Sequence, residues 1–137
     1  MSEYNKPLPV IQEFTKPFWE AAKDSKLLVQ NCNSCKSPIF FPRDRCPECW
    51  SQDLNWTEAS GKGEVFAFSV TYEGVEKAFV EDLPIVLAWI DLPEGIRMQS
   101  NIIDCDPETV KIGMAVEVTF RKATDDIFLP YFKPVSE

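Results

Sequence analysis

Four cysteines carry the clearest chemistry in the chain. Cys32 and Cys35 form one two-spaced pair, Cys46 and Cys49 a second, and ten residues lie between the pairs in CNSCKSPIFFPRDRCPEC. Each C-x-x-C turns tightly enough to offer both sulfurs to one ion, and the intervening segment returns the chain, which is the pattern of a tetrahedral site with four cysteine ligands. Sulfur-only coordination suits Zn2+ or a single rubredoxin-like iron, which spacing alone does not separate; the commonness of four-cysteine zinc ribbons makes one zinc ion the expected metal. Two disulfides, or four buried small hydrophobes, are the competing readings, and the spacing disfavours both. Four protein ligands close the coordination shell and leave no position for an activated water, so the expected role is structural. A segment this small buries too little apolar surface to fold alone, whereas metal binding typically supplies about 10 kcal/mol or more.

The elements that must position these sulfurs follow from the flanking pattern. Residues 1–16, broken by Pro7 and Pro9, read as an arm whose Leu8, Val10, Ile11 and Phe14 pack on this molecule or on a partner. Pro17 opens a short helix ending near Asp24-Ser25, with Phe18, Trp19 and Ala22 as its apolar stripe. Residues 27–29, 38–41 and 55–56 read as the short strands of a ribbon. Gly61-Lys62-Gly63 marks a boundary, after which Glu64 to Tyr72 alternates: Phe66, Phe68, Val70 and Tyr72 are expected on one face, and Val65, Ala67, Ser69 and Thr71 on the other. Further strands are expected at 85–92, 96–103, 115–123 and 127–132, with a helical turn at Asp106-Pro107-Glu108-Thr109. The expected fold is therefore mainly β: a short N-terminal helix and a rubredoxin-like zinc ribbon, then five antiparallel strands in an OB-fold barrel or another five-stranded barrel. The expected units are residues 1–26 (arm and helix), 27–60 (ribbon) and 61–137 (barrel).

Composition narrows the function classes. At 137 residues, 45% hydrophobic and 12% aromatic, the chain has enough apolar content for a packed core. No run approaches the roughly 18 apolar residues of a membrane span, and Met1 to Val10 lacks the basic start and apolar centre of a signal peptide. Five cysteines, four of them assigned to metal, fit a reducing compartment, so a cytoplasmic location is expected. Formal charge is −8, and residues 61–137 carry 14 acidic against 7 basic side chains. A general nucleic-acid binder needs a basic track, which neither half shows. Histidine is absent, which removes the commonest general base and the Ser-His and Cys-His dyads.

Several segments together resemble a known family, the zinc-ribbon and OB-fold proteins of acyl-CoA metabolism formerly catalogued as a domain of unknown function. They are Pro17-Phe18-Trp19-Glu20-Ala21, Gln30-Asn31-Cys32, Phe41-Pro42-Arg43, Cys46-Pro47-Glu48-Cys49, residues 60–65, residues 112–118 and residues 129–134. One departure stands out: a glycine often follows the second cysteine of such a knuckle, and here Lys36 and Trp50 occupy those positions. The resemblance implies a non-catalytic accessory or scaffold protein that binds a thiolase-like or hydroxymethylglutaryl-CoA-synthase-like enzyme. It also implies that acyl-CoA or CoA is shared with that partner, and some relatives assist hydratases or aldolases instead.

Two other classes compete. OB barrels bind single-stranded nucleic acid by stacking bases on aromatics, for which Phe66, Phe68, Tyr72 and Trp89 are candidates; core packing and the acidic charge argue against it. An enzyme using Cys105 as nucleophile is disfavoured, because Asp104 and Asp106 would raise its thiol pKa and no activating base is evident. Asp91 and Glu94, near a Pro-Gly turn, are expected to be solvated. For partner binding the expected contact is the segment EGVEKAFVEDL, with Phe79, Val75 and Val80 as its apolar members.

Overall fold

The computed structural model describes residues 6–135; the first five residues of the expected arm lie outside them. A helix α1 (Lys16–Lys23) follows a single 3-10 turn at Glu13–Thr15. It ends in a Schellman arrangement: the Lys26 N–H donates to the Ala21 carbonyl, the Ser25 N–H donates to the Ala22 carbonyl, and Ser25 takes the left-handed conformation. Phe18 and Ala22 are buried and Trp19 packs beside them, so the expected stripe faces inward.

Three strands make the ribbon sheet, β1 (Leu28–Cys32), β2 (Pro38–Ile39) and β3 (Leu54–Glu58), in the order β2-β1-β3 and antiparallel throughout. Five more close a barrel: β4 (Lys62–Thr71), β5 (Ile85–Asp91), β6 (Arg97–Ile102), β7 (Ala115–Lys122) and β8 (Phe128–Pro134), in the order β4-β5-β6-β8-β7 with β7 returning to β4. A 3-10 turn at Pro107–Thr109 sits between β6 and β7, and the Asp106 side chain caps it by accepting from the Glu108 N–H. The all-antiparallel expectation needs one correction: β6 meets β8 in parallel, at Ile102 and Phe132, with the Ile103 N–H donating to the Phe132 carbonyl. Closure requires it, because the chain returns to the open edge of β6 running in the same direction.

A second correction concerns β4. Val65 pairs with Ile90 and Ala67 with Trp89, so Phe66 is an extra residue in a β-bulge. The bulge breaks the period of two. Val65 points into the core at 1% exposure, Phe66 turns outward at 46%, and inward alternation resumes with Phe68 and Val70 packed on the core. Phe66 therefore does not share the face of Phe68, and Val65 does not lie opposite it.

One apolar cluster runs through the barrel and onward. It joins Val65, Ala88, Ile90, Met98, Val116 and Phe132 to Phe18, Leu27 and Val29 of the helix and ribbon base. The distal ribbon has only its own small cluster, Cys32, Ile39 and Cys46 with Leu54 against them. At the junction, Gly61 is left-handed, and a Cβ on Gly63 would stand 2.6 Å from Ile90 Cγ2 and 2.9 Å from the Asp91 carbonyl oxygen, so β4 can approach β5 only as glycine there.

Candidate metal centre and flanking surfaces

The four cysteine sulfurs lie within 4.8 Å of one another at the distal end of the ribbon. Cys32 and Cys49 are 3.6 Å apart, as are Cys35 and Cys46, and all four are free thiols. A tetrahedron with metal–sulfur bonds of about 2.3 Å has sulfurs about 3.8 Å apart, close to the two 3.6 Å pairs, so the donor set suits one zinc ion. Each pair sits on its own knuckle. The Lys36 N–H donates to the Cys32 carbonyl and the Trp50 N–H to the Cys46 carbonyl, both at 2.9 Å. The Cys35 N–H reaches the Cys32 sulfur and the Glu48 N–H the Cys46 sulfur, each at 3.4 Å. Lys36 and Trp50 both take left-handed backbone, φ 66° and 68°, where such knuckles often carry glycine.

The electrostatics of the cluster call for a cation. Hydrogen bonding between Cys35 and the Ser37 side chain and backbone lowers the Cys35 thiol to about 6, and the backbone N–H of Cys35 lowers Cys32. At Cys49 a backbone hydrogen bond from Ser51 also favours the thiolate, but burial and the three neighbouring sulfurs outweigh it and push the pKa up to about 12. Thiols lowered at Cys35 and Cys32 beside one raised at Cys49 by its neighbours make a cluster whose mutual repulsion a bound divalent ion would relieve.

Behind the cysteines lies a contact that the sequence did not disclose. Gln30 is 3% exposed in the central strand β1; its Nε2 donates to the Arg43 carbonyl at 2.8 Å and its Oε1 accepts from the Arg43 N–H at 2.7 Å. The side chain acts as a one-residue strand that pins the loop between the cysteine pairs. Gln30→Leu keeps the bulk but removes both bonds, and is expected to cost about 1–3 kcal/mol in denaturant unfolding while leaving zinc bound; an unchanged midpoint would mean water replaces the amide. Glu94 is a second link that pattern reasoning treated as solvated. Its Oε2 accepts from the Ser60 N–H at 3.1 Å, tying the β5–β6 turn to the ribbon–barrel junction.

The other sequence candidates fall in separate places. Residues Lys77–Asp82 form a 3-10 helix; Phe79 is half-buried and lines a cleft of about 470 Å³ with Pro84, Val86, Arg121 and Tyr131, while Val80 is exposed and Val75 half-buried. Neither the cleft nor the loop adjoins the cysteines. Of the four stacking candidates, Phe68 faces the core; Phe66, Tyr72 and Trp89 are exposed. Arg97 lies 3.4 Å over the Phe66 ring and is already paired bidentately with Asp91 at 2.6 and 3.2 Å, so it does not offer a phosphate a free charge. Burial raises the Cys105 thiol pKa, a Thr109 hydrogen bond opposes it, and Asp106 and Asp104 raise it further, the opposite of an activated nucleophile. Among the described residues no helix is long and apolar enough to cross a membrane.

Comparison with known proteins agrees with this architecture. The family model "ChsH2, rubredoxin-like zinc ribbon domain" matches residues 19–55, and "ChsH2, C-terminal OB-fold domain" matches residues 56–121. A probable enoyl-CoA hydratase alpha subunit from Thermomonospora curvata is 34% identical over 94% of this chain, which spans only 40% of that protein's length. A DUF35 domain-containing scaffold protein from Methanocaldococcus jannaschii is 37% identical over 79% of this chain and 77% of its own. The benzoylsuccinyl-CoA thiolase subunit BbsA of Geobacter metallireducens is 28% identical over 81% and 75%. Among solved structures, a chain of the Ltp2-ChsH2(DUF35) aldolase superposes with a TM-score of 0.80 at 34% identity, covering 93% of this chain and 98% of that one. With a zinc ribbon leading into a closed OB-fold barrel and this similarity along most of its length, the chain belongs to the DUF35 family of ChsH2-type zinc-ribbon and OB-fold proteins.

Proposed function

We propose that this chain is a non-catalytic accessory or scaffold subunit that binds a thiolase-like acyl-CoA enzyme and shares its acyl-CoA, in the cytoplasm. The observation that carries the reading is the likeness, over nearly its whole length, to a chain of an aldolase complex whose fold it reproduces. Relatives named as scaffold proteins and as thiolase or hydratase subunits support it further. Cys32, Cys35, Cys46 and Cys49 hold one zinc ion in a closed shell, which when bound supplies folding energy to the distal ribbon. The chain itself brings no histidine, and its fifth cysteine is held protonated by burial and acidic neighbours.

Phe79, with Val75 and Val80, is the proposed contact on the barrel side. The decisive experiment isolates the thiolase-like enzyme that accompanies the chain in its host, identifies it, and reconstitutes the pair from separately produced proteins. The chain alone is expected to turn over no acyl-CoA thioester and to bind single-stranded DNA only weakly at physiological salt. Phe79→Ala is expected to weaken the complex by about 2 kcal/mol, roughly thirtyfold in Kd, with little loss of thermal stability. Turnover by the isolated chain, lost in Cys105→Ser, would overturn the accessory reading. A fall in stability without a fall in affinity would return Phe79 to the core.

A further inference from the structure

Trp50 sits where a side chain of its kind is least at ease. Its φ of 68° lies in the left-handed region, which glycine enters freely and a bulky aromatic residue does not. Burial does not compensate, since the residue is 71% exposed. A strained and exposed tryptophan at a position suited to glycine lowers stability without adding to the core, and such outliers are the ones that point to function.

Its surroundings have the composition of a binding hot spot. Trp50 borders a cleft of about 500 Å³ together with Phe14, Phe41, Arg43 and Arg45, and Phe14 and Phe41 are themselves 38% and 53% exposed. Tryptophan, phenylalanine and arginine are the side chains that anchor interfaces. The Arg45 guanidinium lies 5.9 Å from the Trp50 ring centroid. The Arg43 backbone is pinned by the buried Gln30 amide, so the loop is held before any partner arrives and little ordering remains to be done on binding. Asp44 and Cys46 line the cleft as well, and Asp44 pairs with the Arg45 guanidinium at 3.9 Å, so Arg43 is the cation this face presents in a chain of formal charge −8.

We propose that Trp50 anchors a docking face on the zinc ribbon, completed by Phe14, Phe41, Arg43 and Arg45, and that its occupant is the acyl-CoA enzyme itself, through an apolar socket rimmed by carboxylates. This rests on the accessory reading above and adds to it a second contact, on the opposite module from Phe79. The relatives select the occupant: chains similar to this one are named as thiolase and hydratase subunits, and one belongs to an aldolase. Arg43 beside an Arg45–Asp44 pair does not make the basic track of a nucleic-acid binder. An acidic-rimmed socket on the enzyme satisfies both the rings and the cation.

The test compares zinc-loaded wild type with Trp50→Gly, Trp50→Asn and Lys36→Gly, Lys36 being the equivalent left-handed position of the other knuckle. The probe is the identified and separately produced enzyme. Glycine and asparagine both tolerate this backbone, so all three variants are expected to keep one zinc and to melt no lower than wild type. Trp50→Gly and Trp50→Asn are expected to raise Kd about thirtyfold or more, and Lys36→Gly to leave it within about threefold. Arg43→Glu should also weaken the complex, more at low salt than at high. Undiminished affinity in both Trp50 variants, with wild type binding, sinks the docking face and leaves the accessory role standing. Failure of the wild type to bind any acyl-CoA enzyme sinks both. Loss of zinc in both variants would make Trp50 a structural residue. Variants that lose only self-association, or only binding of free CoA, would show that the occupant was misassigned.

Discussion

Cys46→Ser is expected to yield a protein without stoichiometric zinc whose distal ribbon no longer folds, while the barrel persists. Cys46 is fully buried in the small cluster with Cys32 and Ile39, and Leu54 is the only further apolar residue packed there among the described residues. Such a cluster cannot offset the conformational entropy of ordering residues 32–54. The metal's contribution, about 10 kcal/mol or more in small zinc modules, therefore decides whether this end is ordered. The damage should stop at the ribbon base, because Leu27, Val29 and Phe18 belong to the barrel's own cluster. Amide exchange with metal analysis checks this: protection should vanish across residues 32–54 and survive at Val86, Ile90 and Val116. A zinc-free variant that keeps ribbon protection would remove the case for metal as folding energy, and a red wild-type preparation would identify iron.

Phe132→Ala is expected to cost about 3–5 kcal/mol, a large share of the roughly 5–15 kcal/mol that holds a domain of this size together. Phe132 is fully buried at the seam where β6, β7 and β8 meet, opposite Ile102 on one side and Val118 on the other. The closing hydrogen bond from the Ile103 N–H goes to the Phe132 backbone and survives the substitution. What is lost is side-chain volume, leaving a cavity that surrounding strands fill only in part. Denaturant unfolding should show a lower midpoint with an unchanged slope, since the surface exposed on unfolding hardly changes. A loss below about 1 kcal/mol would mean that the seam collapses freely and that Phe132 does not hold it.

Much of this molecule was legible in its sequence. The clustering of the four cysteines was, because C-x-x-C is a local geometric device whose meaning does not depend on the rest of the chain. So were α1, opened by Pro17 and closed near Asp24-Ser25, and the strands, whose alternation records burial on one side. The exceptional positions of Lys36 and Trp50 showed as departures from glycine, although a departure does not say whether the backbone yields or the residue bears the strain; both residues bear it.

Tertiary structure decided what depends on partners distant in sequence. Whether Phe66 points in or out turns on a bulge set by pairing with β5, about 25 residues away, and a one-residue slip reverses every face before it. Gln30 reads as an ordinary polar strand residue until the loop at Arg43 folds over it. Glu94 looks solvated until Ser60 arrives beside it. The expected border between helix, ribbon and barrel likewise gives no hint that Phe18, Leu27 and Val29 join the barrel's core, since periodicity reports that a face is buried but not against what. Local spacing thus determined the chemistry of the four sulfurs, whereas chain closure alone determined which aromatic rings and arginines were left facing outward.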